Sequence, residues 1–116
     1  MHINHIDIPV PDIAVTRDFF VDRLGFAHVA TLGQDGLAIL KDDNGTVLVL
    51  SRAKSGAAPA DGFHIGFLLE SREAVDAMHA RLHAGVPCAA PRDMRGGYVF
   101  YLEAPGPILI EVGHRP

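Results

Sequence analysis

The feature that most restricts this chain of 116 residues is that it repeats itself. His5 and His64 stand at an offset of 59, and Asp12 and Ser71 at the same offset. Gly25 and Gly85 follow at 60, and Val47-Leu48-Val49-Leu50 and Leu109-Ile110-Glu111-Val112 at 62. Four matches in one order, with a drift that small loop insertions absorb, define two versions of a single structural unit. In the first version, Ile6, Ile8 and Val10 alternate with His5 and Asp7, which predicts a strand over 3–9 with two unlike faces. Asp12 is an N-cap, and Ile13, Phe20 and Leu24 fall at helical spacing, so a helix is expected over 13–24. Gly25 ends it by accepting the left-handed conformation. Short strands are expected at 27–32, 36–41 and 46–51, with Asp35-Gly36 and Asn44-Gly45 as tight-turn signals.

The second version follows a stretch over 53–61 that is rich in Ala, Gly, Ser and Pro, has no periodicity and reads as a linker. It begins with a strand over 63–70. Ser71 caps a helix whose Val75/Met78/Leu82 stripe faces a core and which ends at Gly85. A weak strand is expected at 86–90 and a loop over 91–97. A hairpin follows, with strands at 97–103 and 107–113 around Ala104-Pro105-Gly106-Pro107. The expected fold is α+β, built from two βαβββ modules over about 1–52 and 62–116. Together they form a cupped mixed sheet in a single domain, with the helices outside. Open sheet edges invite pairing, so a homodimer is expected.

Composition narrows the function. A length of 116 fits one domain, since a domain typically takes ~100–200 residues. With 48% hydrophobic and 21% charged residues, the chain resembles ordinary globular proteins rather than disordered ones. Ten basic against fourteen acidic residues provide no footprint for a phosphate backbone, which argues against nucleic acid. No run of ~18 apolar residues is present, which argues against a membrane span. Polar His2, Asn4, His5 and Asp7 interrupt the start, unlike a signal peptide. The single Cys88 has no internal partner, which suits a reducing compartment, and a cytoplasmic location is expected.

Equivalent positions of two related halves usually face a common centre. The first strand of each half supplies a histidine there, His5 and His64. The last strand of the second half supplies Glu111, of opposite parity to Ile108, Ile110 and Val112. A carboxylate in so apolar a strand needs a partner or a metal, because isolated buried charge is costly. The partner reading is a salt bridge to Arg95 or Arg115. The metal reading joins His5, His64 and Glu111 as two imidazoles and one carboxylate, a facial triad with open positions. Asp7 shares the parity of His5 and is a candidate for contact with a substrate. Arg52 and Arg95 are candidate anion contacts, and 92–97, with paired glycines, is a candidate flap.

Several of these segments together resemble the vicinal oxygen chelate superfamily, which includes glyoxalase I, extradiol dioxygenases, fosfomycin thiol transferases and bleomycin-resistance proteins. They are His5-Ile6-Asp7-Ile8-Pro9-Val10-Pro11-Asp12, Asp18-Phe19-Phe20, Leu24-Gly25-Phe26, Phe63-His64-Ile65-Gly66-Phe67 and Ile108-Leu109-Ile110-Glu111-Val112. The resemblance implies paired βαβββ modules around a divalent ion, with Fe(II) or Mn(II) favoured and Zn(II) admissible. It also implies that Val49 stands where glyoxalase I carries a fourth ligand. That leaves the His, His and Glu of the dioxygenases and thiol transferases. Tyr101 stands where the thiol transferases place a tyrosine beside the metal.

The resulting expectation is a metal-dependent enzyme acting on a small oxygenated substrate, with ring-cleaving dioxygenation favoured and thiol transfer or lyase chemistry as an alternative. The other class is a metal-free module that binds a drug-like molecule. His79 and His83 lie at i, i+4, a spacing that can hold zinc. Ala80, not Glu, follows His79, so both read as a helix flank toward solvent. Cys88 reads as a structural thiol.

Overall fold

The computed structural model describes residues 1–55 and 57–116. They divide into two compact units, Met1–Pro59 with Pro105–Pro107, and Ala60–Ala104 with Ile108–Pro116. The linker read at 53–61 includes Gly56, which lies outside the described residues; its other residues form neither strand nor helix.

The first unit contains β1 (His5–Val10), α1 (Ile13–Leu24), β2 (Ala27–Leu32), β3 (Leu37–Lys41) and β4 (Val47–Arg52). Its sheet has the order β1-β4-β3-β2, with β1 parallel to β4 and the other pairs antiparallel. The helix ends where its caps dictate. The Asp12 carboxylate accepts from the Val15 N–H at 3.0 Å. At the other end, Gly25 turns left-handed at φ 76° and lets the Phe26 N–H reach the Phe20 carbonyl. Ile13, Thr16 and Phe20, three and four residues apart, form the buried face. They pack over Ile8, Val10, Ala38, Leu40, Leu48 and Leu50, all buried, and the Phe20 and Phe26 rings meet edge to face at 5.3 Å. The β2–β3 turn is wider than the expected Asp35-Gly36 pair. Gly33, Gln34 and Asp35 are all left-handed, and the Gly36 N–H closes on the Leu32 carbonyl at 2.9 Å.

The second unit contains β5 (His64–Leu68), α2 (Arg72–His83), β6 (Arg92–Met94), β7 (Gly97–Ala104) and β8 (Ile108–His114). Its sheet order, β5-β8-β7-β6, reproduces the first unit strand for strand, again with only the first and last strands parallel. The βαβββ repeat read from the sequence is therefore present in both halves. Ser71 caps α2 by accepting from the Ala74 N–H at 3.1 Å. Val75 and Leu82 on the helix bury against Val99, Phe100, Leu102, Ile108, Ile110 and Val112.

One expectation fails in this unit. No strand forms at 86–90, where Cys88 makes only an isolated antiparallel bridge to Leu102. Pro87 lacks the N–H that a ladder requires there. The missing strand is β6, inside the expected loop. It pairs Arg92 with Val99, Asp93 with Tyr98 and Met94 with Gly97. Arg95 and Gly96, at φ 50° and 76°, form a two-residue turn of the kind that matches strand twist. Segment 92–97 is thus a hairpin arm rather than a free flap. Arg72 fastens it to α2, since its guanidinium lies 3.9 Å over the Tyr98 ring and reaches both Asp93 oxygens at 2.6 and 3.2 Å.

Candidate metal centre

In each sheet the alternation of side chains puts one face on the helix and leaves the other open. On the open face of the second sheet, parallel register sets His64 beside Leu109 and Gly66 beside Glu111. Antiparallel register sets Tyr101 opposite Glu111. His64, Tyr101 and Glu111 are thereby gathered into one cluster, as the sequence led us to expect for this half. Arg115 completes it. The sequence offers this residue only as a salt-bridge partner of Glu111, alongside Arg95.

Glu111 is 8% exposed. Its Oε2 accepts the Tyr101 hydroxyl at 2.5 Å, and its Oε1 accepts Arg115 Nη2 at 2.9 Å. These contacts outweigh burial and hold the carboxyl below its ordinary value of 4.5, with the Tyr101 hydrogen bond the largest cause. The same bond pushes the Tyr101 phenol above 10, so at neutral pH it remains a proton donor. His64 Nδ1 lies 3.0 Å from the Gly62 carbonyl, which can only accept, so Nδ1–H donates to it and the neutral ring carries its lone pair on Nε2. That Nε2 is 3.9 Å from Glu111 Oε2. Neighbouring ligands on an ion with bonds of ~2.0–2.2 Å sit about 3 Å apart, so a small ring rotation makes the pair a chelate. An ionised carboxylate and an imidazole oriented from behind are the donor chemistry a divalent ion requires. The residues present in this unit therefore fit the ion.

The first unit carries the remaining expected residues. His5 is exposed, with Nδ1 3.2 Å from Asn4 Oδ1. Register puts Asp7 beside Val49 and Ile39 opposite it. The Ser51 hydroxyl donates to Asp7 at 2.6 Å. Val49 is half-buried and offers no donor atom. Arg52 is tied to its own unit, donating to the Asp35 carbonyl at 3.1 Å. Arg95 is exposed on the β6–β7 turn, where its carbonyl accepts Arg115 Nη1 at 2.9 Å.

Two readings change outside this cluster. His83 is exposed, as a helix flank should be, but His79 is turned inward, half-buried and edge-on to Phe100 at 5.2 Å. Both imidazoles stand close to Cys88, whose thiol burial pushes above its ordinary value of 9.0. No local sequence signal marks this approach, because the return of Cys88 depends on its single bridge to Leu102.

The fold is shared with known proteins. The model of the glyoxalase/bleomycin resistance protein/dioxygenase superfamily matches residues 2–112. No curated protein matches the chain. Among solved structures, a possible glyoxalase from Bacillus cereus is similar at 34% identity, covering 97% of each chain, with a TM-score of 0.85. A lactoylglutathione lyase from Agrobacterium tumefaciens is 21% identical over 97% of this chain and 92% of its own, with a TM-score of 0.79. An antibiotic-binding protein from Streptomyces sp. CB03234 is 22% identical over 100% of this chain and 97% of its own, with a TM-score of 0.81. The last two likenesses show the fold alone. No helix among the described residues is long and apolar enough to cross a membrane. With two βαβββ modules and a family match over nearly its whole length, this chain belongs to the glyoxalase/bleomycin resistance protein/dioxygenase superfamily.

Proposed function

We propose that this chain is a metal-dependent enzyme acting on a small substrate through the substrate's own oxygen atoms, with His5, His64 and Glu111 as the protein ligands. The observation that carries this reading is the buried Glu111 carboxylate 3.9 Å from Nε2 of His64. Members of the superfamily generally hold a divalent ion. Bound here, Fe(II) or Mn(II), or alternatively Zn(II), supplies Lewis-acid polarisation of the substrate oxygens.

The chain's own groups have separate tasks. Arg115 fixes the plane of the carboxylate through Oε1. Tyr101 holds its proton between its own oxygen and Oε2, and can swing that donor toward a substrate oxygen. Val49 supplies no fourth ligand, so His5, His64 and Glu111 would hold the ion and leave it accessible to a diol substrate and one further small molecule. This favours ring-cleaving dioxygenation, with thiol addition or lyase chemistry next. Asp7, Val49, Arg52 and Arg95 are the proposed substrate contacts, and a homodimer paired through open sheet edges is the proposed assembly.

A second reading draws on one specific observation. Both Glu111 oxygens already have protein partners, Tyr101 and Arg115, so the carboxylate is satisfied without an ion. That suits a metal-free module that sequesters an aromatic or drug-like molecule. The test begins with anaerobic loading of Fe(II) and metal analysis, followed by oxygen uptake against catechols and hydroquinones. Stoichiometric Fe(II) with oxygen uptake is expected. Stoichiometric metal without uptake, together with turnover of a thiol or 2-oxoaldehyde substrate on Mn(II), replaces dioxygenation with the alternative chemistry. Wild-type protein that holds no more metal than His64→Ala overturns the enzyme reading.

A further inference from the structure

We propose that His79, His83 and Cys88 form a second metal site, a thiolate-containing site for Zn(II) that shares no ligand with the His5, His64 and Glu111 set. The three residues are brought together by two local features. One turn of α2 projects His79 and His83 from the same face, and their rings stack at 5.1 Å with planes 16° apart. The chain then leaves the helix, and its single bridge to Leu102 on β7 returns Cys88 to that face.

One ligand atom from each residue lies within 4.8 Å of the others. Zn–N bonds of ~2.0–2.1 Å and a Zn–S bond of ~2.3 Å require separations of roughly 3.3–3.6 Å around a tetrahedron. Rotation of the three side chains closes that difference in the proposed site, and it exchanges the hydrogen bond that His79 Nε2–H donates to the Cys88 carbonyl at 3.3 Å for a Zn–N bond.

The donor set selects the ion. One thiolate and two imidazoles suit a borderline-soft cation, whereas an all-oxygen cage would suit magnesium or calcium. Three protein ligands leave the fourth tetrahedral position for water or an incoming molecule. That position has somewhere to open. His83 and Cys88 line a broad surface cavity of about 580 Å³ whose other walls include Tyr101, Glu103 and Leu109. On binding, the Cys88 S–H proton passes to solvent and the sulfur lone pair forms the Zn–S bond, with no change of oxidation state.

The test is a titration of the whole, reduced protein with Co(II), which replaces zinc and reports sulfur ligation through a thiolate-to-cobalt charge-transfer band in the near ultraviolet. The His5, His64 and Glu111 set contains no sulfur, so that band reads only the Cys88 site. A stoichiometric band is expected in wild type and in Glu111→Gln, displaced by Zn(II), and absent in Cys88→Ser and His83→Ala. His83 is exposed, so His83→Ala keeps its fold, and far-ultraviolet circular dichroism confirms it. In parallel, Zn(II) should protect Cys88 from a thiol-alkylating reagent in wild type and not in His83→Ala. No charge-transfer band in wild type, or an undiminished band in His83→Ala, overturns the site. Loss of the band in Glu111→Gln overturns its independence from the first site.

Discussion

The two modules share a fold, and one rung of their sheets separates them chemically. In the first sheet the rung reads Asp7, Val49, Ile39 across β1, β4 and β3. In the second it reads Gly66, Glu111, Tyr101 across β5, β8 and β7. Each rung has one carboxylate, but on different strands and in different surroundings. Asp7 is exposed on an edge strand and takes one hydroxyl from Ser51. Glu111 is buried on an inner strand and takes a phenol and a guanidinium. An exposed carboxylate is already well solvated by water. A buried one loses that solvation and keeps its charge only through such partners, which is also what readies it for an ion. The repeat builds two equal scaffolds, and exchange of residue types at this rung gives only one of them a buried carboxylate on an inner strand.

The largest effect should come from undoing that exchange. Glu111→Ala strands the Tyr101 hydroxyl and frees Arg115. A hydrogen bond to a charged group contributes about 1.5–3 kcal/mol, so stability should fall by about 2 kcal/mol in urea melts, and Mn(II) binding at the His64 and Glu111 cluster should vanish in dialysis followed by elemental analysis. The converse change, Val49→Glu, puts a second carboxylate beside Asp7 with no tyrosine or arginine partner, since Ile39 occupies the place of Tyr101. The metal-free variant should lose about 1 kcal/mol to like-charge proximity, and Mn(II) should restore it. If Val49→Glu is as stable as wild type without metal, the partners of Glu111 matter less than the comparison implies.

An intermediate effect tests packing two residues further along. Ser51 and Gly113 are equivalent by register, opposite Pro9 and Leu68 respectively. Ser51 has space for its side chain, whereas a Cβ on Gly113 would lie 2.5 Å from Val99 Cγ1 and 3.1 Å from the Tyr98 carbonyl. Gly113→Ala should cost about 1–3 kcal/mol as overpacking, and Ser51→Ala well under 1 kcal/mol. Equal melting temperatures for the two variants would show that β7 and β8 yield more easily than their contacts suggest.

How much of this could be read in advance depends on the range of the interactions involved. The bounds of α1 follow from the sequence because Asp12 and Gly25 act on neighbours within one turn. The His64 and Glu111 cluster was legible because alternation along two strands and the internal repeat both pointed to it. β6 was not, because three residues carry no detectable period and Arg95-Gly96 is a weaker turn signal than Asn-Gly. The inward turn of His79 was also hidden, since Phe100 and Cys88 reach it from elsewhere in the chain. The role of Arg115 was half visible, as one of two salt-bridge partners offered to Glu111, with Arg95 the other.

The smallest effect is a pH dependence, and it separates the two carboxylate environments most directly. The Tyr101 hydrogen bond and Arg115 hold Glu111 below its ordinary 4.5 in the folded protein. Between the folded and unfolded values the unfolded chain binds more protons, so stability rises with pH across that interval. The contribution is complete above about pH 5 and is lost as pH falls from 4.5 through the folded value. Asp93, lowered by its hydrogen bond to Arg72, titrates in the same acid range, so the bare wild-type profile mixes both groups. The difference between wild type and Glu111→Gln removes the Asp93 contribution, because Gln keeps an acceptor for Tyr101 but has no charge to titrate. Tyr101→Phe should flatten the same interval by letting the folded value drift back up, since that hydrogen bond is the largest cause of the shift. Urea unfolding from pH 3 to 7 in wild type and both variants measures this. Parallel curves for wild type and Glu111→Gln would mean that burial cancels the two partners, and the distinction between the rungs would then be steric rather than electrostatic.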